Sequence, residues 1–186
     1  MTEKKIIEMA LMNKSNILIT GPPRCGKSTL IEAVIEGIEG PVTGFFTREM
    51  REGGQRVGFS VNTLDGREGI LAHKSMRSRY KVGRYGVNLK DIEDIAVPAL
   101  IPSERKEIIV IDEIGKMECF SALFRGTLIE VLESPNRVLG SIALRGDAFI
   151  EAIKRREDVM VVEVTIRDRG VLVNQLLDTL RAFSIA

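Results

Sequence analysis

The residues Gly21-Pro22-Pro23-Arg24-Cys25-Gly26-Lys27-Ser28 fit the spacing G-x-x-x-x-G-K-[ST] without a mismatch. The spacing has a chemical reason. A loop that turns its backbone N–H groups inward cradles anionic oxygens, and glycines permit that turn and keep side chains off the phosphates. A helix that starts where the loop ends points its positive pole at the same anion. Lys27 is then placed to bridge β- and γ-phosphates, and the Ser28 hydroxyl to ligate Mg2+. The candidate nucleotide-binding residues are Gly21, Pro22, Pro23, Arg24, Cys25, Gly26, Lys27, Ser28 and Thr29. Arg24 has two readings of equal weight, a phosphate contact or a side chain in solvent. Cys25 reads as a small loop residue rather than a redox switch.

Such a loop needs an acidic partner. Ile108-Ile109-Val110-Ile111 reads as a buried strand and runs straight into Asp112-Glu113. Asp112 would hold Mg2+, usually through a water, and Glu113 would polarise the water that attacks the γ-phosphate. Together with Ile114-Gly115, Asp112 also opens a D-x-x-G spacing, which would bring the Gly115 N–H to the γ-phosphate. The guanine-reading Asn-Lys-x-Asp is missing, since Asn13-Lys14 precedes the loop and lacks the Asp. The serine-glycine-glycine signature of transporter ATPases is missing too. Both features argue against a regulatory GTPase or a transporter subunit.

From Gly69 to Lys90 there is no acidic residue, while Lys74, Arg77, Arg79, Lys81, Arg84 and Lys90 accumulate beside Tyr80 and Tyr85. Three readings compete: a lid whose arginines, Arg84 among them, meet phosphate charge; a nucleic-acid surface with stacking tyrosines; or a solvated basic face. Three further candidate arginines follow predicted strands. Arg145 lies after the fourth core strand, and Arg167 and Arg169 after the last. In an open parallel sheet, ligands gather at the carboxyl ends of strands. Taken singly, each of these is more readily a surface side chain.

The elements that must position these groups alternate along the chain. Residues 4–12 suggest a short amphipathic helix. Asn16–Thr20 is an apolar strand, and a helix over 27–37 puts Leu30, Val34 and Ile38 on one face. Strand signals at 42–47, 56–63 and 69–73, with Gly53-Gly54 as a turn, predict an antiparallel β insertion over about 41–73. Residues 74–87 read as a basic loop. Asn88 opens a helix that Pro98 and Pro102 segment. A helix over 119–133 carries Phe120, Leu123, Phe124, Leu128, Val131 and Leu132 on one side. Strands at 138–143 and 159–164 flank a helix near 147–156, and a helix over 170–183 closes the chain. Alternation of this kind predicts a single α/β domain over residues 1–186. Its sheet should be mostly parallel with helices on both faces.

Bulk properties exclude several classes. The chain has 186 residues, 44% hydrophobic and 28% charged, with a formal net charge of +1. The composition is that of a globular domain, with no global basic field of the kind that holds nucleic acid, so no nucleic-acid partner is expected. Cys25 and Cys119 form no metal or disulfide framework. One histidine, His73, rules against a His-based metal site or a Ser-His-Asp triad. No apolar run approaches the ~18 residues of a membrane span, and no signal peptide opens the chain. A cytoplasmic monomer that takes nucleoside triphosphates and Mg2+ is the expectation.

Several segments together resemble the small nucleoside-triphosphatase family first described in thermophiles, which has a human, cancer-related member. They are Gly21–Leu30; Gly44-Phe45-Phe46-Thr47-Arg48-Glu49-Met50-Arg51-Glu52-Gly53-Gly54; Thr63-Leu64-Asp65-Gly66; Tyr80-Lys81-Val82-Gly83-Arg84-Tyr85-Gly86-Val87; and Ile111-Asp112-Glu113-Ile114-Gly115-Lys116-Met117-Glu118. The resemblance implies a RecA-like nucleotide-binding fold. It also implies Mg2+-dependent hydrolysis of ATP, GTP, CTP, TTP and UTP, with diphosphates hydrolysed less well. It assigns Gly21–Ser28 to the triphosphate and the Ile108–Gly115 segment to its flank. The family commonly has glycine where Arg24 stands and threonine where Ser28 stands, and many relatives lack residues 1–15. Two other classes share these motifs: a nucleotide or small-molecule kinase, and a nucleotide switch or nucleic-acid-binding module.

Overall fold

The computed structural model describes residues 16–165 and 169–184. The helix expected at 4–12 lies outside the described residues. Strand β1 (Asn16–Thr20) is buried along its whole length, as its unbroken apolar run requires. Helix α1 (Lys27–Glu36) follows, then β2 (Val42–Glu52), β3 (Gln55–Thr63) and β4 (Glu68–His73). A short hairpin of β5 (Lys81–Val82) and β6 (Tyr85–Val87) precedes the segmented helix α2 (89–99). Strand β7 (Ile108–Ile114), α3 (Ala122–Glu133), β8 (Arg137–Ile142), α4 (Ala148–Lys154), β9 (Val159–Glu163) and α5 (Arg169–Ser184) complete the described chain.

The strands form one sheet in the order β5-β6-β4-β3-β2-β7-β8-β1-β9. Strands β2, β7, β8, β1 and β9 run parallel, so their carboxyl ends share one edge. Beyond β2 the pairing turns antiparallel. The two halves of β2 have different tasks. Val42 to Phe46 pair in parallel with Ile108 to Asp112, while Phe45 to Glu52 pair antiparallel with β3. The segment expected as an insertion over 41–73 is therefore rooted in the site-bearing sheet. The sequence pattern concealed this because β2 is apolar only in its first half.

Side-chain alternation splits the core into two layers. Ile109 and Ile111 of β7 face a layer holding Phe124, Leu128 and Leu132 of α3 and Ile92 of α2. Ile108 and Val110 face the opposite layer, with Leu30, Ile31 and Val34 of α1 and Leu176 and Leu180 of α5. Leu123, expected on the core face of α3, is 52% exposed. Ser121 caps α3 by accepting from the Phe124 N–H, so the helix begins at Ala122 rather than 119. In α2, Asn88 is the cap, accepting from the Asp91 N–H. A π-turn over Ile92–Ala96 leads into Pro98, which segments the helix as expected. Residues 74–87, expected as a loop, include the β5–β6 hairpin at the outer edge of the sheet.

Candidate functional site

The loop between β1 and α1 takes its shape from its glycines. Gly21 has φ +151°, and a β-carbon there would sit 2.7 Å from the Val164 carbonyl oxygen and 2.9 Å from Cys25 Sγ. Gly26, with φ +96°, caps α1 without any side chain, and α1's first backbone bond runs from the Leu30 N–H to the Gly26 oxygen at 2.9 Å. The first-turn N–H groups of α1 are thus left open to an anion. Arg24, at φ +63°, is exposed and adopts the left-handed backbone that favours glycine. Cys25 is buried in the α1–α5 layer, so it packs, in line with the reading as a small loop residue. Pro22, Pro23 and Thr29 are exposed around the cradle. Lys27 Nζ folds back onto the loop, 3.2 Å from the Gly21 oxygen and 3.4 Å from the Pro22 oxygen.

The acidic pair comes from the end of β7, in which Ile108, Ile109, Val110, Ile111 and Ile114 are all buried. Asp112 is 2% exposed. The Ser141 hydroxyl of β8 donates to its Oδ1, whereas Oδ2 has no hydrogen-bond partner. Burial pushes the Asp112 carboxyl above its ordinary range; the hydroxyls of Ser141 and Ser28 and the cations Arg48 and Lys27 pull it back. Burial also raises the Glu113 carboxyl, with Lys27 lowering it and Asp112 raising it. The structure therefore brings Lys27, Ser28, Asp112 and Glu113 together, as the spacing anticipated.

A third acid joins them. Glu118 is 4% exposed, and burial, followed by repulsion from Glu113, pushes its carboxyl up to about 8. Gly115 lies between the two glutamates. A β-carbon on Gly115 would meet Glu118 Oε2 at 2.9 Å and Glu113 Oε1 at 3.0 Å. The backbone N–H groups of Glu118 and Gly115 lower the Glu118 carboxyl, but less than burial and Glu113 raise it. Glu118 escaped the sequence reading because nothing in a single chain marks a charged residue as buried. Ser141 escaped because it sits inside an apolar strand. Arg48 escaped because it alternates with polar residues of a strand read as a hairpin.

The chemistry of the donors fits Mg2+. The free Oδ2 of a buried carboxylate and a neighbouring hydroxyl supply hard oxygen atoms, and Mg2+ is ordinarily held by one or two carboxylates plus substrate phosphates. Among the described residues no three His, Cys, Asp or Glu side chains converge as a metal site by themselves.

Of the candidate arginines, Arg84 is placed away from the loop. Arg84 is tied to the Tyr85 hydroxyl (Nε, 3.2 Å) and the Arg56 carbonyl (2.8 Å) in the β5–β6 hairpin. Six strand spacings, roughly 29 Å, separate β6 from β1, so Arg84 does not overhang the loop. Arg145 is exposed in the segment after β8. Arg167 lies outside the described residues, and Arg169 opens α5. None of the described helices is long and apolar enough to cross a membrane.

Comparison with known proteins places this geometry. The model of the family described as NTPase matches residues 16–177. The nucleoside-triphosphatase THEP1 of Thermotoga maritima is 45% identical over 166 residues, covering 89% of this chain and 95% of that protein. The crystal structure of THEP1 from Aquifex aeolicus superposes with a TM-score of 0.80 at 34% identity, covering 89% of this chain and 98% of that one. The solution structure of a human cancer-related nucleoside triphosphatase gives 0.77 at 36% identity, covering 90% and 97%. Because the family match spans the loop, β7 and the whole sheet between them, the chain belongs to the NTPase family.

Proposed function

We propose that this protein is a Mg2+-dependent nucleoside triphosphatase. It cleaves ATP, GTP, CTP, TTP and UTP to the diphosphate and inorganic phosphate, and diphosphates more slowly. The observation that carries this reading is the free Oδ2 of buried Asp112, beside the Ser28 hydroxyl at the mouth of an open anion cradle. The names of relatives that the chain covers almost end to end support the same reaction.

The N–H groups of the loop and of the first turn of α1 bind the β- and γ-phosphates, and Lys27 exchanges the Gly21 and Pro22 oxygens for phosphate oxygens. Ser28 and Asp112 would hold Mg2+, which supplies charge neutralisation between the β- and γ-phosphates. Glu113, its basicity raised by burial, accepts the proton of a water. That water's oxygen bonds to the γ-phosphorus as the bond to the β,γ-bridging oxygen breaks. The bonding electrons leave with the diphosphate. The absence of a base-reading motif accounts for the breadth of bases. Two free, buried thiols, Cys25 and Cys119, suit a reducing cytoplasm, and the groups named all come from one chain, which suits a monomer.

The test is phosphate release from ATP, GTP, CTP and UTP, each with and without Mg2+. Release from all four that requires Mg2+ and is lost in Lys27→Ala supports the reading. Tight nucleotide binding without release overturns it in favour of a phosphotransferase or a switch.

A further inference from the structure

We propose that Arg48 is the guanidinium that meets the γ-phosphate in this chain, and that Glu32 holds it back while the site is empty. The proposal rests on the triphosphatase reading and assigns the missing cation of that same site.

Register puts Arg48 at the right edge of the sheet. Phe46 is the last residue of β2 paired with β7, and its partner is Asp112. Arg48 stands two residues further on, roughly 6.5 Å toward the carboxyl edge where the phosphate loop lies. Alternation gives it the same face as Phe46, and Phe46 packs in the α1 layer. Asp112 and its partner Ser141 alternate onto that face as well, after Val110 and Leu139.

The contacts of Arg48 describe a withdrawn side chain. Its guanidinium leans back over the Phe46 ring, 4.6 Å from the centroid, and pairs with the Glu32 carboxylate of α1. Glu32 follows Ser28 by four residues, so both lie on one face of α1, about 6 Å apart along its axis. The resting guanidinium is thus about one helical turn from the hydroxyl that would meet the metal. Arg48 and Glu32 side chains are 42% and 39% exposed, and an ion pair with that much water around it is weak. A triphosphate brings more negative charge to the site than one carboxylate, and a guanidinium grips phosphate oxygens through two parallel hydrogen bonds. Arg84 is fastened elsewhere, as described above, and cannot compete for this place.

The experiment compares Arg48→Ala, Arg48→Lys and Glu32→Gln with the unaltered protein. It measures steady-state triphosphate hydrolysis, ADP binding, and binding of ADP with aluminium fluoride, a mimic of the transferring phosphoryl group. Arg48→Ala should lose about 10³-fold in kcat, the lower end of what a catalytic arginine supplies, with KM changed less than about threefold. It should bind ADP normally but lose tight binding of the aluminium fluoride complex. Added guanidinium ion should restore part of its turnover, and Arg48→Lys should restore little. Glu32→Gln should turn over at least as fast as the unaltered protein. Arg48→Ala turnover within about threefold of normal overturns the proposal. Equal losses in Arg48→Ala and Glu32→Gln overturn it too, because they indicate a pair that only braces β2 against α1. The triphosphatase reading fails separately, when the unaltered protein releases no phosphate.

Discussion

The Ser141 hydroxyl, near the carboxyl end of β8, donates a hydrogen bond to Asp112 on the adjacent strand, and the other Asp112 oxygen is left unpartnered inside the protein. A buried charge half satisfied in this way costs stability, a cost that the proposed metal-binding role explains. Asp112→Asn removes the charge and keeps the shape. It should raise the stability of the nucleotide-free protein by about 1 kcal/mol, because relief of the buried charge exceeds the cost of the unpartnered amide that replaces it, seen as a thermal midpoint about 2–4 °C higher. The same variant should lose at least about 10²-fold in turnover. A lower midpoint would mean that the carboxylate is structurally satisfied.

Glu118 predicts an unusual dependence of stability on pH. Its carboxyl titrates near 8 in the folded protein, against 4.5 ordinarily. Between those values the folded state keeps a proton that the unfolded state has released. Stability therefore falls as pH rises from 4.5 to 8 and levels off above that. Each pH unit of the window is worth up to about 1.4 kcal/mol. Glu118→Gln, neutral at every pH, should flatten the profile and exceed the unaltered protein in stability at pH 8. Urea unfolding at pH 5, 6.5 and 8, in chelator and without nucleotide, reads this directly. Parallel profiles for the two proteins would contradict it.

Gly115 keeps two glutamates apart while letting both approach its Cα. Gly115→Ala forces Glu118 Oε2 and Glu113 Oε1 away from points 2.9 and 3.0 Å from the new carbon. These oxygens end flexible side chains and need move only a few tenths of an ångström, so the displaced base should cost about 3–10-fold in kcat, below the 10²-fold that misplacement of about 1 Å brings. Nucleotide affinity, set at the loop, should stay within threefold in a fluorescent-nucleotide titration.

The same residues explain what a sequence can and cannot disclose. The cradle was legible because its chemistry demands particular residues at particular spacings, and Lys27, Ser28, Asp112 and Glu113 do meet in space. The strands and helices around them were legible because apolar runs and 3.6-residue periods report burial directly. The β5–β6 hairpin was not, since strands of two and three residues are too short to show alternation. Nor was the dual pairing of β2, because pairing partners far away in sequence leave no local mark. Glu118 and Arg48 fall in the same class: the burial of one and the withdrawn posture of the other arise only when β7 meets its turn and β2 meets α1.

In the proposed mechanism Glu113 takes the proton of the attacking water while the loop holds the nucleotide. Glu113→Gln tests it most directly, measured as Mg2+-dependent phosphate release beside nucleotide binding. Turnover should fall about 10²–10⁴-fold, the usual worth of a positioned base, with nucleotide affinity unchanged within threefold. Turnover close to that of the unaltered protein would contradict it.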